Sequence, residues 1–418
     1  MKFIHAADIH LDSPLIGLSA YEDAPVAMLR MATREAFNNL ITEAIDQQID
    51  FMVIAGDLYD GTWKDHSTGI YFCKQMGRLQ KAGIPAYVLY GNHDAESEMT
   101  KKLLLPDNVH AFEARKATSF SIPHLKVVLH GRSFKDAATT ENLVTSYPDP
   151  VPGMLNIGVL HTALEGGSIH PNYAPCSLDE LHAKGYAYWA LGHVHEHKVW
   201  TGASTIVFPG NLQGRHIRET GARGAILVTA EDGQIESVER LYVDVLRWFA
   251  LEVDVSICQA MSDVVRVIGT SLEKAMLDAD SSIPMAIRVT VRGRTPAHGD
   301  LFGLEMQLRA EVLAFVATLA PDQIWLEKVK IATQPVDDGE AIRARADALS
   351  DLQDILIAAE TDPEFLKGLQ DDLLPLIAKA PIELQTLVPY LKDVRDGNLS
   401  GLVAEIRPGL VAHLGKVG

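Results

Sequence analysis

The chain has few cysteines and lacks a long apolar segment. Only three of its 418 residues are cysteines, and Cys73, Cys176 and Cys258 are too widely spaced for a C-x-x-C metal site. Their odd number and wide spacing predict reduced thiols rather than a disulfide framework. No stretch approaches the ~18 uninterrupted apolar residues of a transmembrane helix, and no signal-peptide pattern opens the chain. We therefore expect a cytoplasmic protein that makes no membrane contact.

Positive charge is also scarce. The chain has 37 Lys and Arg against 55 Asp and Glu, which gives a formal net charge of −18. Broad binding to nucleic acid normally needs a basic surface, and this composition argues against it. A substrate that carries phosphate must therefore be attracted locally. Bound divalent cations are the obvious source of that local charge.

The pattern of apolar residues divides the chain into three parts. Over residues 1–240, short β-rich apolar runs alternate with helical periods, as in an α/β sheet covered on both faces. The stretch 229–240, with Asp232-Gly233, reads as a linker. Residues 241–335 show the order β-α-β-α-β, and residues 336–418 are helical in period, including the stretches 340–359, 363–378 and 381–394. These three parts are the predicted domains.

Polar side chains of metal-ligand type follow five of the predicted strands. Because ligands of α/β sheets bind at the carboxyl ends of the strands, we expect these side chains to meet at one edge. Each one alone has an ordinary explanation, since GD and GN pairs are common in turns. Their joint order and placement favour a metal site. The candidate ligands are Asp8, His10, Asp57, Asn92, His161, His193 and His195.

The chemistry of these seven side chains suits two adjacent divalent ions. They offer imidazole, carboxylate and amide groups but no thiolate, which fits Mn²⁺, Fe²⁺ or Zn²⁺ better than a structural zinc site. Seven ligands are too many for one open catalytic ion. If Asp57 bridges, each ion receives four protein ligands and keeps a position for water. Two ions so placed can promote in-line attack on a phosphoryl group.

The order D-x-H, GD, GNHD, a lone His and GHxH resembles the signature of the calcineurin-like metallophosphoesterases. Within that superfamily, HAADIHLD, AGDLYD, YGNHD and LGHVH are similar to the DNA double-strand-break repair nucleases of the bacterial SbcD type. The segment FPGNLQGRHIRETGARGA continues the resemblance, which is greatest to the YhaO-type branch. The resemblance implies an α/β metallophosphoesterase core, a sheet-on-sheet sandwich flanked by helices. It also implies a small α+β capping domain, which helps to position DNA, and a helical C-terminal tail.

The resemblance also implies roles for the site residues. His93 would contact the scissile phosphate or protonate the leaving oxygen, and Asp94 would orient its ring through the other nitrogen. Mn²⁺ is the expected metal, with Fe²⁺ or Zn²⁺ as alternatives. One ion would be held by Asp8, His10, Asp57 and His195, and the other by Asp57, Asn92, His161 and His193.

The expected activity is hydrolysis of DNA phosphodiester bonds during repair, by an exonuclease or alternatively an endonuclease. The resemblance implies an SMC-like ATPase with a long coiled coil as partner, docked on the C-terminal helices, and a homodimer is a further expected assembly. Two alternatives stay open. One is a phosphatase or a phosphodiesterase for small molecules. The other is a weakly catalytic subunit that tethers DNA.

One position departs from the related nucleases. They often carry a histidine three residues after the GD aspartate, where this chain has Asp60. An acid there would repel a phosphate, so the function of that histidine cannot be transferred. The departure puts the preference for duplex ends over other phosphodiesters in doubt.

A glycine-rich stretch after the last core strand carries three arginines, Arg215, Arg218 and Arg223. Arginines on such a loop could bind backbone phosphates, although a solvated turn explains them about as well. Trp63 and Lys64 could line a substrate groove, although Trp63 could equally be local packing.

Overall fold

A computed structural model of the chain describes residues 1–15, 26–60, 66–96, 104–164, 173–279, 283–320, 323–336, 348–379 and 389–417. The chain divides by its internal contacts into two compact units. The first comprises Met1–Phe249 and Ser282–Ala286, and the second comprises Ala250–Ser281 and Ile287–Gly418. The division into three domains stays a prediction. Among the described residues, no helix is long and apolar enough to cross a membrane.

The first unit is an α/β structure. Its strands are β1 (Lys2–Ala6), β2 (Phe51–Ala55), β3 (Ala86–Leu89), β4 (Val109–Ala111), β5 (Thr118–Ile122), β6 (Val127–Gly131), β7 (Leu155–His161), β8 (Tyr188–Gly192), β9 (Lys198–Trp200), β10 (Thr205–Phe208), β11 (Gly224–Glu231) and β12 (Gln234–Tyr242). Its helices are α1 (Val26–Asp46), α2 (His66–Lys81), α3 (Asn92–Glu96) and α4 (Leu178–Ala183). Single-turn 3₁₀ helices lie at Pro123–Leu125 and Leu143–Ser146.

These strands form two six-stranded sheets. The first has the order β12-β11-β1-β2-β3-β4, and the second has the order β5-β6-β7-β8-β10-β9. The strands β1-β2-β3-β4 and β6-β7-β8-β10 pair in parallel, while β11, β12, β5 and β9 pair antiparallel with their neighbours. The carboxyl ends of parallel strands therefore share one edge in each sheet.

The core lies between the two sheets and on their outer faces. Alternate residues of a strand point to opposite faces. Phe3 stacks on Phe51 of the neighbouring strand β2 at 4.9 Å, and it faces the second sheet, where it meets Tyr188 edge-on at 5.4 Å. Ile4 instead packs with the buried faces of α1 and α2. Trp189 lies in a third cluster on the outer face of the second sheet. This layering is the sandwich flanked by helices that the sequence predicts.

The stretch 229–240 is not a linker, which corrects the sequence reading. It belongs to a hairpin of β11 and β12, and β11 pairs antiparallel with β1. The turn residues Asp232 and Gly233 have φ values of 48° and 80°, and positive φ at both central residues is the geometry of a type I′ hairpin turn. The strands β4, β5 and β9 were also missed, because each has at most five residues and lies at or next to a sheet edge.

The second unit contains a three-stranded sheet in the order β13-β14-β15, and its elements follow the predicted β-α-β-α-β order with one short additional helix. The strands are β13 (Arg247–Asp254), β14 (Met285–Arg294) and β15 (Ile324–Gln334). The helices are α5 (Met261–Ala279), α6 (His298–Leu301), α7 (Glu305–Leu319), α8 (Ala348–Ala359), α9 (Pro363–Ile377), α10 (Pro389–Asp396) and α11 (Ser400–Val417).

The C-terminal part of the second unit is helical, as predicted. Helix α11, which lies in the predicted helical region without being delimited there, packs against α6 and α8, and α9 packs against α10. Residues 340–347 and 381–388 of the predicted helices lie outside the described residues.

Candidate metal centre

Both sheets contribute to one polar site at the carboxyl ends of their strands. The loops after β1 and β2 supply Asp8, His10 and Asp57, and Asn92 is the first residue of α3, which follows β3. The end of β7 and the loop after β8 supply His161, His193 and His195. The two sheets are joined here, because the backbone N–H of His193 donates to both carboxylate oxygens of Asp8 at 3.0 Å.

The first cluster consists of Asp8, His10 and His195. Each residue offers one ligand atom, and the three atoms lie within 4.8 Å of one another. The Nε2 atoms of His10 and His195 are 3.3 Å apart, and Nε2 of His195 is 3.9 Å from Oδ1 of Asp8. Two nitrogens bound to one tetrahedral ion are separated by about 3.3 Å. The spacing therefore fits a shared cation.

The second cluster consists of Asp57, His161 and His193, whose ligand atoms also lie within 4.8 Å of one another. All three residues are buried. Nε2 of His161 is 3.5 Å from Oδ2 of Asp57 and 3.0 Å from Oδ1 of Asn92. Asn92 therefore adds a fourth donor to this cluster.

Asp57 lies between the two clusters. Its Oδ2 atom, 3.5 Å from His161, is also 3.9 Å from Nε2 of His10. Its other oxygen accepts a hydrogen bond from the backbone N–H of His93 at 3.0 Å. One oxygen is thus within reach of both clusters, which is the position that a bridging ligand needs.

The outer nitrogens of two histidines are held by other acceptors. Nδ1 of His161 is 2.9 Å from the carbonyl oxygen of Ala55, and Nδ1 of His195 is 2.7 Å from Oε1 of Glu219. Such partners hold the proton on Nδ1 and leave the Nε2 lone pair for a metal, as is usual for metal-binding histidines. The donor set therefore fits a dinuclear centre.

The electrostatics of the site also favour cations. Burial raises the pKa of Asp8 to about 6, because a carboxylate in the interior lacks solvation. Burial alone would lower the pKa of His161, but the charge of Asp57 and the hydrogen bond to it raise this pKa to about 9. Burial opposes ionisation of Asp57 too, yet His161 holds its pKa well below the ordinary value. The second cluster thus attracts positive charge strongly.

Four of the candidate ligands have unusual backbone conformations. The φ values are 51° at Asp8, 46° at His10, 52° at Asp57 and 100° at His193. Residues other than glycine rarely adopt positive φ, and such strain gathers at functional sites. Buried loops with this backbone aim successive side chains into one site, which a continuing strand could not do.

His93 lies at the accessible side of the first cluster. Its side chain is 39% exposed, and its ring centroid is 5.0 Å from that of His10. The carboxylate beside the ring belongs to Asp60, whose Oδ1 is 3.4 Å from Nδ1 of His93. The ring of His10, whose Nδ1 lies 3.5 Å from Oδ1 of Asp60, is the main cause that keeps the pKa of Asp60 below its ordinary value, so this group is a carboxylate at neutral pH.

The observed contacts of Asp94 differ from the predicted role of orienting the ring of His93. Its carboxylate accepts hydrogen bonds from the backbone N–H groups of Leu58, Tyr59 and Gly91 at 2.9–3.2 Å. These bonds tie the loop after β2 to the loop after β3. Burial raises the pKa of Asp94 to about 7.

Arg223 does not have the geometry predicted for a phosphate-binding residue. It is buried, and its Nη1 donates to the carbonyl oxygen of His195 at 2.5 Å and to Oδ1 of Asn211 at 3.3 Å. Its Nη2 donates to the carbonyl oxygen of Thr220 and to Glu196. Both terminal nitrogens of Arg223 therefore donate to groups of the protein, which gives this arginine a structural role.

The other two arginines differ from each other. Arg215 lies beside the site, where Nη1 donates to Oγ of Ser13 at 3.0 Å and lies 3.9 Å from Asp60, while Nη2 lies 3.8 Å from Glu219. Arg218 is exposed, and its role in binding phosphate stays a prediction. Trp63 and Lys64 lie outside the described residues.

Sequence reasoning missed Glu219 altogether and did not place Asp60 among the histidines. Glu219 follows His195 by 24 residues in an irregular stretch, so neither helical nor strand periodicity could relate the two. For Asp60 there was a signal, because it lies three residues after Asp57 in the same loop. Glu219 became recognisable only from the folded chain.

Comparisons with known proteins agree with this geometry. Residues 1–197 match the family described as calcineurin-like phosphoesterase, and residues 248–334 match the middle domain of metallophosphoesterase YhaO. The chain is 32% identical over 300 residues to a Bacillus subtilis protein described as uncharacterized metallophosphoesterase YhaO, a match covering 71% of this chain and 72% of that protein.

Two further similarities are weaker. The chain is 24% identical over 263 residues to the DNA double-strand break repair protein Mre11 of Sulfurisphaera tokodaii, covering 60% of this chain and 65% of that one. The crystal structure of TT1561 of Thermus thermophilus matches with a TM-score of 0.34 and 15% identity, over 57% of this chain and 98% of that one. The latter superposition is too poor to support an argument.

Proposed function

We propose that this chain, which belongs to the calcineurin-like metallophosphoesterases of YhaO type, hydrolyses phosphodiester bonds of DNA. Membership of the family implies a phosphoester hydrolase with a dinuclear metal centre. The choice of DNA as substrate is supported by the similarity to a protein described as an Mre11 repair protein. It is also supported by the strand-end motifs that resemble repair nucleases.

The observation that carries the proposal is the convergence of seven donors from two sheets on two adjoining clusters with Asp57 between them. The first cation would be held by Asp8, His10, Asp57 and His195, and the second by Asp57, Asn92, His161 and His193. When bound, two adjacent divalent cations supply Lewis acidity and neutralise charge that develops on a phosphoryl group. We propose Mn²⁺ as the metal, because the donors are nitrogen and oxygen without sulfur.

His93 is the residue of the chain proposed to transfer a proton. It is accessible, and Nδ1 lies 3.4 Å from the Asp60 carboxylate, which can orient the ring through that nitrogen. Nε2 is then the nitrogen that can donate a proton to the leaving oxygen. A positioned general acid of this kind contributes about 10²- to 10⁴-fold to the rate.

A second candidate is hydrolysis of a small phosphodiester or phosphomonoester. It is favoured by the positions of two arginines that were predicted to bind phosphate. Arg223 is buried, and Arg215 lies between two carboxylates. The net charge of −18 points the same way, because long-range attraction of a polyanion is weak on an acidic protein.

For the assembly, we propose docking of an SMC-like ATPase on the helices of the C-terminal region. Large apolar side chains are exposed there, with Ile355 at 65% and Leu376 at 67%. Such side chains could contribute to the surface that the partner covers.

The test of substrate class uses the full chain, freed of metal by chelation and reloaded with Mn²⁺. Turnover is measured on linear duplex DNA, single-stranded DNA and bis(p-nitrophenyl) phosphate. We expect Mn²⁺-dependent cleavage of DNA that Asp57→Asn abolishes. His93→Ala should lower the rate by about 10²- to 10⁴-fold while the bound metal stays the same. Turnover of the small diester with none of either DNA would establish the second candidate instead.

A further inference from the structure

The His195 ligand is held by a carboxylate that is itself held in place. Oε1 of Glu219 lies 2.7 Å from Nδ1 of His195, and Glu219 is 5% exposed. Its Oε2 accepts hydrogen bonds from the backbone N–H of Arg215 at 2.7 Å and from Nδ2 of Asn211 at 3.1 Å. Because the carboxylate cannot turn freely, it sets the orientation of the imidazole.

The His10 ligand has a carboxylate on its outer side as well. Oδ1 of Asp60 is 3.5 Å from Nδ1 of His10. The guanidinium of Arg215 lies between the two carboxylates, with Nη1 3.9 Å from Asp60 and Nη2 3.8 Å from Glu219. We name Asp60, Arg215 and Glu219 the outer network. Its single cation lies within 4 Å of both carboxylates.

The second cluster has a different outer partner. Nδ1 of His161 faces the carbonyl oxygen of Ala55, a neutral acceptor, at 2.9 Å. A carboxylate partner makes an imidazole a stronger donor to a metal than a carbonyl does, since it stabilises the positive charge that the ring acquires on binding. His161 of the second cluster therefore differs from His195 of the first in the charge of its outer partner.

We propose that Glu219 is a positioning residue for His195 and that the outer network makes the first cluster the tighter of the two cation positions. This inference rests on the proposed metal-dependent function. Glu219→Gln preserves the size of the side chain and an oxygen that can accept from Nδ1, but removes the charge. It should weaken binding of one cation about 10- to 100-fold and leave the other cation almost unaffected.

The experiment titrates the chelated full chain with Mn²⁺ by isothermal calorimetry, and follows the electron paramagnetic resonance of bound Mn²⁺. The parent should bind two ions in two resolved steps, and Glu219→Gln should shift the tighter step alone. Glu219→Ala, which also removes the orienting contact, should shift it further. The matched control is Glu236→Gln on the exposed face of β12, where both steps should equal those of the parent.

The outcomes separate the inference from the function on which it rests. A parent that binds no Mn²⁺ would overturn the proposed function itself. A parent that binds two ions, together with Glu219→Gln binding both as tightly, would overturn the positioning role alone. Equal weakening of both steps would also overturn it, because Glu219 would then support the whole site. Circular dichroism of the chelated proteins shows whether each variant is folded.

Discussion

The buried carboxylate of Asp57 contacts both clusters and the segment that follows β3. Its Oδ2 lies within 3.9 Å of histidine nitrogens from both clusters, and its Oδ1 accepts from the backbone of His93. Such crowding leaves no room for a side chain at the neighbouring Gly91. A Cβ there would overlap Oδ1 of Asp57 and lie 2.8 Å from Cε1 of His161.

The first prediction concerns Gly91. Gly91→Ala should displace Asp57 or His161 and weaken Mn²⁺ binding by about 10- to 100-fold, as other changes around metal ligands do. Calorimetric titration of the chelated protein measures this loss. Gly77→Ala is the matched control, since a Cβ at Gly77 within α2 has no neighbour within 4 Å and should stabilise the helix by about 0.5–1 kcal/mol. Unchanged Mn²⁺ affinity in Gly91→Ala would contradict the packing described here.

The second prediction concerns the buried His5, which lies between Tyr188 and the carbonyl oxygen of Leu191, both at 3.0 Å. Burial lowers its pKa to about 3, whereas the unfolded chain binds the proton near pH 6.5. Between these values the unfolded state holds more protons, so stability rises with pH and falls as the solution is acidified through this window. The contribution is at most about 1.4 kcal/mol per pH unit.

Replacing His5 by Gln should flatten that dependence between pH 4 and 6. The measurement is urea unfolding of the chelated proteins at several pH values. Exposed His124 gives the control, because His124→Gln should leave the slope unchanged. A slope in His5→Gln equal to that of the parent would show that other groups carry the acid sensitivity.

At the scale of the element, the loops of the site are anchored to the helices that cover the first sheet. Asp12, in the loop after β1, binds Arg34 of α1 through two hydrogen bonds of 2.5 and 2.6 Å. It also accepts from the hydroxyl of Thr68 in α2, and its backbone N–H donates to Thr33. This anchoring holds a loop whose backbone has positive φ at three positions, Asp8, His10 and Asp12.

Strands β14 and β15 of the second unit share an ion pair that gives the third prediction. Arg288 and Glu327 form two hydrogen bonds of 2.5 and 2.6 Å, and the Glu327 side chain is 7% exposed. Glu327→Gln removes the negative charge of this pair and should destabilise the sheet by about 2 kcal/mol, less than for a fully buried pair because Arg288 is partly exposed.

Hydrogen exchange of the β14 and β15 amides measures this change in the full chain. The matched control is Glu252→Gln, because Glu252 and Arg292 form a pair at 2.7 Å in which both side chains are more than half exposed. That change should cost less than about 0.5 kcal/mol. Equal effects of the two substitutions would mean that burial does not decide the strength of these pairs.

At the scale of the whole molecule, the metal centre belongs to the first unit and all its predicted ligands come from residues 8–195. A ligand that binds only the folded state stabilises it by about 2.7 kcal/mol at a concentration of 100 times its Kd. The fourth prediction is that Mn²⁺ raises the stability of the first unit by an amount of this order. Chelation should reverse the gain.

Hydrogen exchange with and without Mn²⁺ checks the prediction on each unit separately. Protection should increase in the loops after β1, β2, β3 and β8, while the amides of β14 and β15 should exchange at the same rate in both conditions. Protection that rises equally in both units would indicate that the two unfold together. No gain at any concentration of Mn²⁺ would argue against a metal centre.

The sequence by itself determined the α/β class and the location of the seven donors. Each donor lies at the end of an apolar run of strand type, and runs that are apolar on both faces indicate parallel strands whose carboxyl ends share one edge. The hairpin of β11 and β12 was missed, because its half-exposed outer strand lacks the continuous apolar pattern of the inner strands and its Asp-Gly turn also fits a loop.

Only the tertiary structure decided which groups surround those donors. Glu219, Asp60 and Arg215 reach the site from separate loops, and their roles depend on distances of 2.7–3.9 Å that no spacing along the chain encodes. The sequence suggests that Arg223 binds phosphate, but in the folded chain this side chain is buried against backbone carbonyls. Local patterns predict where a strand ends, whereas hydrogen-bond partners between distant loops depend on how the two sheets pack.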